Sequence, residues 1–257
     1  MIANYHTHTW RCNHAWGTEE EYVERAIDRG LKFFGFSDHT PYPFPEGYYS
    51  SFRMKPELLE NYTTVILDLR ERYRDRIDIR LGVEAEYYPV YFPELMSLLR
   101  DSPVEYMILG QHYTGNELDG SYSGRRTGSE ETLIDYCDQV VEALETGLFS
   151  YVAHPDLLNF QGSGRFYEEQ MRRICRCAKS CGIPVELNLL GLQERRHYPN
   201  ERFWAVAAEE GCTAVLGCDA HRAEAVSDTE TERKARAWAR EFGVPIVDTI
   251  PLRRIDH

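Results

Sequence analysis

The sequence predicts an α/β protein whose parallel strands close into a barrel. Strand-like and helix-like runs alternate along the chain, glycines stop the helical runs just before the next strand, and seven or eight such units fit within 257 residues. Alternation of this kind means parallel strands joined by crossover helices. That many units favour closure over a two-sided open sheet. A dinucleotide-binding sheet would want Gly-x-Gly-x-x-Gly after its first strand, and Tyr5-His6-Thr7-His8 stands there instead.

Apolar, β-branched or aromatic stretches predict strands at 2–5, 32–37, 77–83, 106–110, 149–153, 183–187 and 213–217, with a candidate eighth at 244–247. Helical patterns lie between them, at 19–29, 56–73, 130–146, 167–180, 201–210 and 230–242. Thr18 with Glu21 three residues on is a capping-box signature for the first helix. Gly30, Gly147, Gly182, Gly211 and Gly243 supply helix stops. Nothing repeats and no linker-like block intervenes, so residues 1–257 read as one domain.

Composition narrows the function classes. Apolar residues make up 42% and charged ones 28%, enough for a sizeable core. Every apolar run is cut by charge well short of the ~18 residues a membrane helix needs. The start, Met1-Ile2-Ala3-Asn4-Tyr5-His6, lacks the basic and apolar regions of a signal peptide, so a cytoplasmic protein is expected. Forty-two acidic against 29 basic residues leave a net charge of −13, which repels polyphosphate backbones and argues against bulk nucleic-acid binding. The seven cysteines are odd in number and scattered. Cys175, Cys177 and Cys181 stand two and six apart in a helical run, a poor geometry for a metal site, so reduced, packed thiols are expected.

The histidines carry the chemistry. Of nine, seven fall just past a predicted strand: His6, His8, His14, His39, His112, His154 and His221, with Glu84 and Asp219 in the same placement. One such histidine alone would usually be structural, but seven at the same end of successive strands converge on one barrel mouth. His197 and His257 miss the pattern. Imidazole with carboxylate suits Zn²⁺, Mn²⁺ or Fe²⁺. His6-x-His8 presents two side chains on one face of an extended segment, and Asp219-Ala220-His221 repeats that geometry. Nine candidate ligands fit two or three ions better than one, with Glu84 able to bridge. Clustered ions lower the pKa of a bridging water and clamp phosphate oxygens, so metal-assisted hydrolysis of a phosphate ester follows.

Tyr5-His6-Thr7-His8-Thr9, His14, Phe36-Ser37-Asp38-His39, Gly82-Val83-Glu84, Gly110-Gln111-His112, Ala153-His154-Pro155 and Gly217-Cys218-Asp219-Ala220-His221 together resemble the polymerase-and-histidinol-phosphatase (PHP) superfamily over residues 2 to 221. Within it, His8-Thr9-Trp10-Arg11-Cys12-Asn13-His14, Asp38-His39-Thr40-Pro41-Tyr42-Pro43, Glu186-Leu187-Asn188, Gly191-Leu192 and Tyr198-Pro199 resemble the stand-alone histidinol-phosphatases. Cys218 replaces the usual serine at a position that is not a ligand in that family. The resemblance implies a distorted (β/α)7 barrel with a trinuclear site. It assigns His6, His8, Glu84 and Asp219 to one ion, Glu84, His112 and His154 to a second, and His14, His39 and His221 to a third. Glu84, Asp219 and His221 would be the catalytic residues, and L-histidinol phosphate the substrate.

A phosphate dianion also needs arginine, the planar donor that matches it bidentately. Arg165, after His154, and Arg195 or Arg196, after Asn188, are the loop candidates, with Arg11 a weaker one and an exposed, solvated charge the competing reading for each. The aromatic loop 41–55, with Tyr42, Phe44, Tyr48, Tyr49 and Phe52, could form a lid or pack on the barrel, and Glu46 could meet the amine of the substrate. Gly162-Ser163-Gly164 is no nucleophile elbow, and Arg196-His197 lacks the glycine that follows it in phosphohistidine phosphatases. A different phosphoesterase of the same superfamily, acting on nucleotide ends or another small ester, is the main alternative. A non-catalytic module would have lost ligands, and none is missing here.

Overall fold

The computed structural model describes residues 1–45, 48 and 50–255, so Glu46, Tyr49 and His257 lie outside the described residues. A parallel 7-stranded sheet curls around the centre in the order β1-β2-β3-β4-β7-β8-β9. Its strands are β1 (Ala3–Asn4), β2 (Phe33–His39), β3 (Asp78–Ala85), β4 (Tyr106–Leu109), β7 (Phe149–Val152), β8 (Val185–Asn188) and β9 (Ala214–Gly217). Two short antiparallel strands, β5 (Tyr113–Thr114) and β6 (Ser121–Tyr122), form a hairpin beside it. Strands β4, β7, β8 and β9 are buried along their whole length. Continuous apolar runs suit a parallel sheet covered on both faces.

Closure is uneven, and that is the distortion. At its lower end β9 meets segment 245–247, where Ala214 bridges Ile246 and Val247 N donates to the Ala214 carbonyl at 2.8 Å. This single bridge is all that the candidate eighth strand makes of the barrel. At the mouth the seam passes to the start of the chain: Thr7 bridges Ala220, and His8 N donates to the Ala220 carbonyl at 3.0 Å.

The outer layer is α1 (Glu19–Asp28), α2 (Leu59–Tyr73), α3 (Phe92–Arg100), α4 (Glu130–Glu145), α5 (Gly164–Cys181), α6 (Leu189–Gln193), α7 (Glu201–Glu210), α8 (Ala223–Val226) and α9 (Thr229–Phe242). Thr18 and Glu21 form the expected capping box on α1. Gly182 ends α5 at φ 65°, a left-handed position where a side chain would be strained. Helix α3 was not expected from the sequence. Its stripe is present, since Phe92, Leu95, Met96 and Leu99 are all buried, but Pro93 in the first turn and the preceding tyrosines obscure it. The seven cysteines are free. No helix among the described residues is long and apolar enough to cross a membrane.

Tyr106 plugs the barrel interior, its hydroxyl 3.0 Å from the Tyr5 carbonyl and 3.2 Å from that of Phe36. Room for its ring exists because residue 82 is glycine: a Cβ there would lie 2.3 Å from Tyr106 Cζ. We expect Gly82→Ala to cost about 1–3 kcal/mol in urea denaturation, the range for overpacking a filled core. The loss should shrink in a Tyr106→Leu background; an equal loss in both would show that the ring is not the obstacle.

Candidate functional site

All nine candidate ligands meet at the carboxyl ends of the strands. Glu84, 1% exposed, stands at the centre. His154 Nε2 lies 2.8 Å from its Oε1, with His6 Nε2 at 3.4 Å and His112 Nε2 at 3.6 Å. On the other oxygen, His39 Nδ1 lies at 3.1 Å and His8 Nε2 at 3.6 Å. Asp219 Oδ1 is 3.1 Å from His8 Nε2 and 3.5 Å from His6 Nε2. His14 Nε2 faces His221 Nε2 at 2.9 Å. The triads His6/His8/Asp219, His14/His39/His221 and His6/Glu84/His154 each bring their ligand atoms within 4.8 Å of one another.

A second set of groups fixes the rings, and the sequence reading had given them no role. His6 Nδ1 donates to Glu186 at 2.8 Å, His112 Nδ1 to Glu86 at 2.8 Å and His8 Nδ1 to Asp38 at 3.4 Å. His14 Nδ1 donates to the Cys12 carbonyl at 2.8 Å and His221 Nδ1 to that of Asp219 at 3.0 Å. A carboxylate or carbonyl only accepts, so each Nδ1 carries a proton and each Nε2 is the nitrogen turned inward, its lone pair available to an ion once any second proton has left. Alternation along a strand was the available signal, since Glu86 follows Glu84 by two residues and Glu186 precedes Asn188 by two. Glycines leave space for these acids: a Cβ at Gly110 would lie 2.0 Å from Glu84 Oε1, and one at Gly217 1.7 Å from Glu186 Oε1.

The electrostatics call for cations between these groups. Lone pairs of His14 and His221 face each other, while other Nε2 atoms face carboxylate oxygens. His6 Nε2, His8 Nε2, His39 Nδ1 and Glu84 Oε2 are buried without a hydrogen-bond partner among the described residues, an arrangement costly unless something positive joins them. Burial would raise the Glu84 carboxyl, yet His112, His6 and His39 hold it well below the usual range. Burial likewise opposes the charge on Asp219, and His6 and His8 outweigh it. His39 and His221 are driven well below 6.5 by burial and by the charge of His8, so an added proton is a poor cation there. The donor set fits divalent transition metals. Cys12 lies close to His8 and His221, but burial and then Asp38 push its thiol far up, away from the thiolate a metal would want. His154 and Asp219 hold positive φ, 28° and 48°, in a region non-glycine residues seldom occupy.

The mouth opens into a cavity of about 1190 Å³ walled in part by Trp16, Phe52, Tyr113, Tyr122 and Tyr198. Arg196 lines it, pairing with Glu194 at 2.7 Å and donating to the Tyr198 hydroxyl at 2.7 Å. Arg165 does not reach it: on the first turn of α5, 90% exposed, it pairs with Glu169. Arg195 is also exposed and absent from the lining. Arg11 is buried against Glu19 and Asn61, a structural role. Arg222, not among the sequence candidates, joins the wall 5.0 Å from the Trp16 ring. His197 donates to the Leu157 carbonyl at 2.6 Å, outside the ligand ring.

A family model for the PHP domain matches residues 4–189. The chain belongs to the PHP domain family. Among PHP relatives, the "probable histidinol-phosphatase" of Deinococcus radiodurans is 31% identical over 229 residues, covering 86% of each chain. That of Schizosaccharomyces pombe is 26% identical over 86% of this chain and 81% of its own. A crystal structure of histidinol phosphate phosphatase from Lactococcus lactis, complexed with zinc, L-histidinol and phosphate, superposes with a TM-score of 0.75 at 20% identity, covering 100% of this chain and 99% of that one. This likeness shows the fold, a distorted TIM-like barrel shared across the PHP family.

Glu186 also accepts from the backbone N–H of His154 at 3.0 Å and from Asn188 at 2.8 Å. Glu186→Ala should therefore destabilise the metal-free protein by about 1–3 kcal/mol for each buried donor left unpaired. A denaturation midpoint equal to that of the wild type would show that these contacts do not constrain the site.

Proposed function

We propose that this chain is a metal-dependent phosphatase of 257 residues acting as one domain, which hydrolyses L-histidinol phosphate to L-histidinol and phosphate. The observation that carries the reading is the ring of inward lone pairs and carboxylate oxygens at the barrel mouth, complete at every position expected for the family. The relatives named as probable histidinol-phosphatases support the substrate.

His6, His8, Glu84 and Asp219 would hold one ion, Glu84, His112 and His154 a second, and His14, His39 and His221 a third, the metals being Zn, Mn or Fe. Bound there, divalent ions neutralise phosphate charge and activate water. The protein's own groups do the rest. Glu84 links two of the ligand sets through its two oxygens, while Asp219 holds His6 and His8 in register and, through its carbonyl, keeps the His221 Nδ1 proton in place. Arg196, aimed into the cavity and tied to Tyr198, meets the phosphate; Arg165 and Arg195 stand away from it. The acidic rim of Glu194, Glu224 and Asp228 faces the same cavity and suits the amine of the substrate.

Phosphate release across a panel of monoesters tests this. Histidinol phosphate should lead by a wide margin in kcat/KM over simple esters and over a single-stranded oligonucleotide. A flat profile, or a preference for the oligonucleotide, would favour another PHP phosphoesterase. Glu84→Ala should lower kcat by about 10²–10³, the scale for losing one preorganised charge-stabilising group. Arg196→Ala should cost about 1.5–3 kcal/mol on every monoester, and Arg165→Ala should match the wild type.

A pH signature tests the ligands separately. Burial would lower the pKa of His8, but Asp219 and Asp38 outweigh it and hold it up at about 9 without metal. A raised folded pKa gives stability that is fully present below 6.5 and lost as pH rises through about 9. An ion on Nε2 takes that proton's place, so the Tm difference between zinc-loaded and EDTA-treated protein should widen across this window. A constant difference would remove His8 from the ligand set.

A further inference from the structure

Arg53 lies in the segment joining β2 to α2, outside the ring of ligands, and is 2% exposed. Its guanidinium makes four hydrogen bonds and one further close ion-pair contact. Nε donates to Glu117 at 2.8 Å, and Nη1 to the Thr40 carbonyl at 3.0 Å and to Glu86 Oε2 at 3.1 Å. Nη2 donates to Glu86 Oε1 at 3.0 Å and meets Glu117 Oε2 at 2.6 Å. The same Glu86 Oε1 accepts from His112 Nδ1 at 2.8 Å. Glu86 is fully buried and Glu117 nearly so, so the guanidinium is what makes both carboxylates tolerable there. Aromatic rings enclose it, with Phe52 centred 4.4 Å away. Phe52 in turn lines the cavity, edge-on to His39 at 5.2 Å.

We propose that Arg53 is a positioning residue for the metal centre: by gripping Glu86 with its planar fork it fixes the tautomer and angle of His112. The inference rests on the metal-site reading above, in which His112 is a ligand. Glu86 without Arg53 could swing about its side-chain torsions. Held bidentately, it has one orientation, and His112 Nε2 is aimed toward Glu84 Oε1, 3.6 Å away, where the second ion would be held. Through Glu117 the same guanidinium fastens the β5–β6 hairpin to the segment carrying Phe52, so one cation organises both a ligand and a cavity wall.

A purely structural role would need only a positive charge, which lysine supplies; positioning needs the fork. The test measures zinc content and its loss to EDTA in the wild type, Arg53→Lys, Arg53→Met, Glu86→Gln and Arg53→Lys/Glu86→Gln, alongside kcat and KM. Near-ultraviolet circular dichroism and the Tm of the metal-free forms check folding, and should Arg53→Met not fold, Arg53→Lys carries the test. We expect Arg53→Lys and Glu86→Gln each to weaken zinc retention about 10–100-fold, the scale for losing a partner that orients a ligand, with kcat falling more than KM rises. The double variant should lose no more than the worse single one, because both act through one contact. Native zinc retention in Arg53→Lys, or additive losses in the double variant, would overturn the proposal. Glu84→Ala separates the two readings: if it keeps the full zinc content of the wild type, the metal-site reading itself fails, whereas if it loses zinc and Arg53→Lys does not, only the positioning role falls.

Discussion

A fully desolvated carboxylate in a ring of imidazoles is the constraint on which the rest of this structure depends. Glu84 sits where water cannot reach it, with five histidine nitrogens within 3.6 Å of its oxygens. An isolated buried carboxylate would be expelled or protonated. Here the surrounding positive potential keeps it ionised, and the barrel is shaped to allow that. Gly110 is bare because Glu84 fills its side-chain space, and the left-handed backbones at His154 and Asp219 turn the chain just where each must face inward.

Around this centre the protein uses a second ring of acids as handles. Glu86, Glu186 and Asp38 each accept a hydrogen bond from an imidazole Nδ1 on the side away from the centre. The result is a surface of lone pairs that is unfavourable by itself and favourable around cations. Under the proposed function, this lets a chain that is acidic overall suit an anionic ester: local positive charge would come from bound ions and from Arg196 and Arg222 at the cavity wall, not from a basic surface.

The convergence of the nine side chains was legible because strand ends can be read from periodicity, and histidine or carboxylate at those ends stands out by residue type. Alternating apolar runs and glycine stops made the barrel legible for the same reason. What escaped depends on where loops travel. Arg165 follows His154 by eleven positions, but Ser163 caps α5 before it and turns it to solvent. Arg53 was given no role, since its partners are a glutamate just past β3 and another in a hairpin turn more than sixty residues on. Glu186 was hidden by lying in a stretch already explained as strand, and Glu86 by falling three residues past the strand expected at 77–83. Helix α3 was masked by Pro93, whose tolerance in a first turn is a positional effect that apolar spacing does not reveal.

The seam of the barrel has a temporal consequence. The mouth closes where Thr7 pairs with Ala220, and this seam holds His6 and His8 from one end of the sequence beside Asp219 and His221 from the other. Contacts at such separation demand a long loop closure, and its entropy must be overcome before they contribute. During synthesis, then, His6 and His8 emerge some two hundred residues ahead of Asp219 and His221. Completion of the pocket is a late event in the making of each molecule, and under the proposed function a nascent barrel would offer metal ions an unfinished set of donors until its last strand has been laid down.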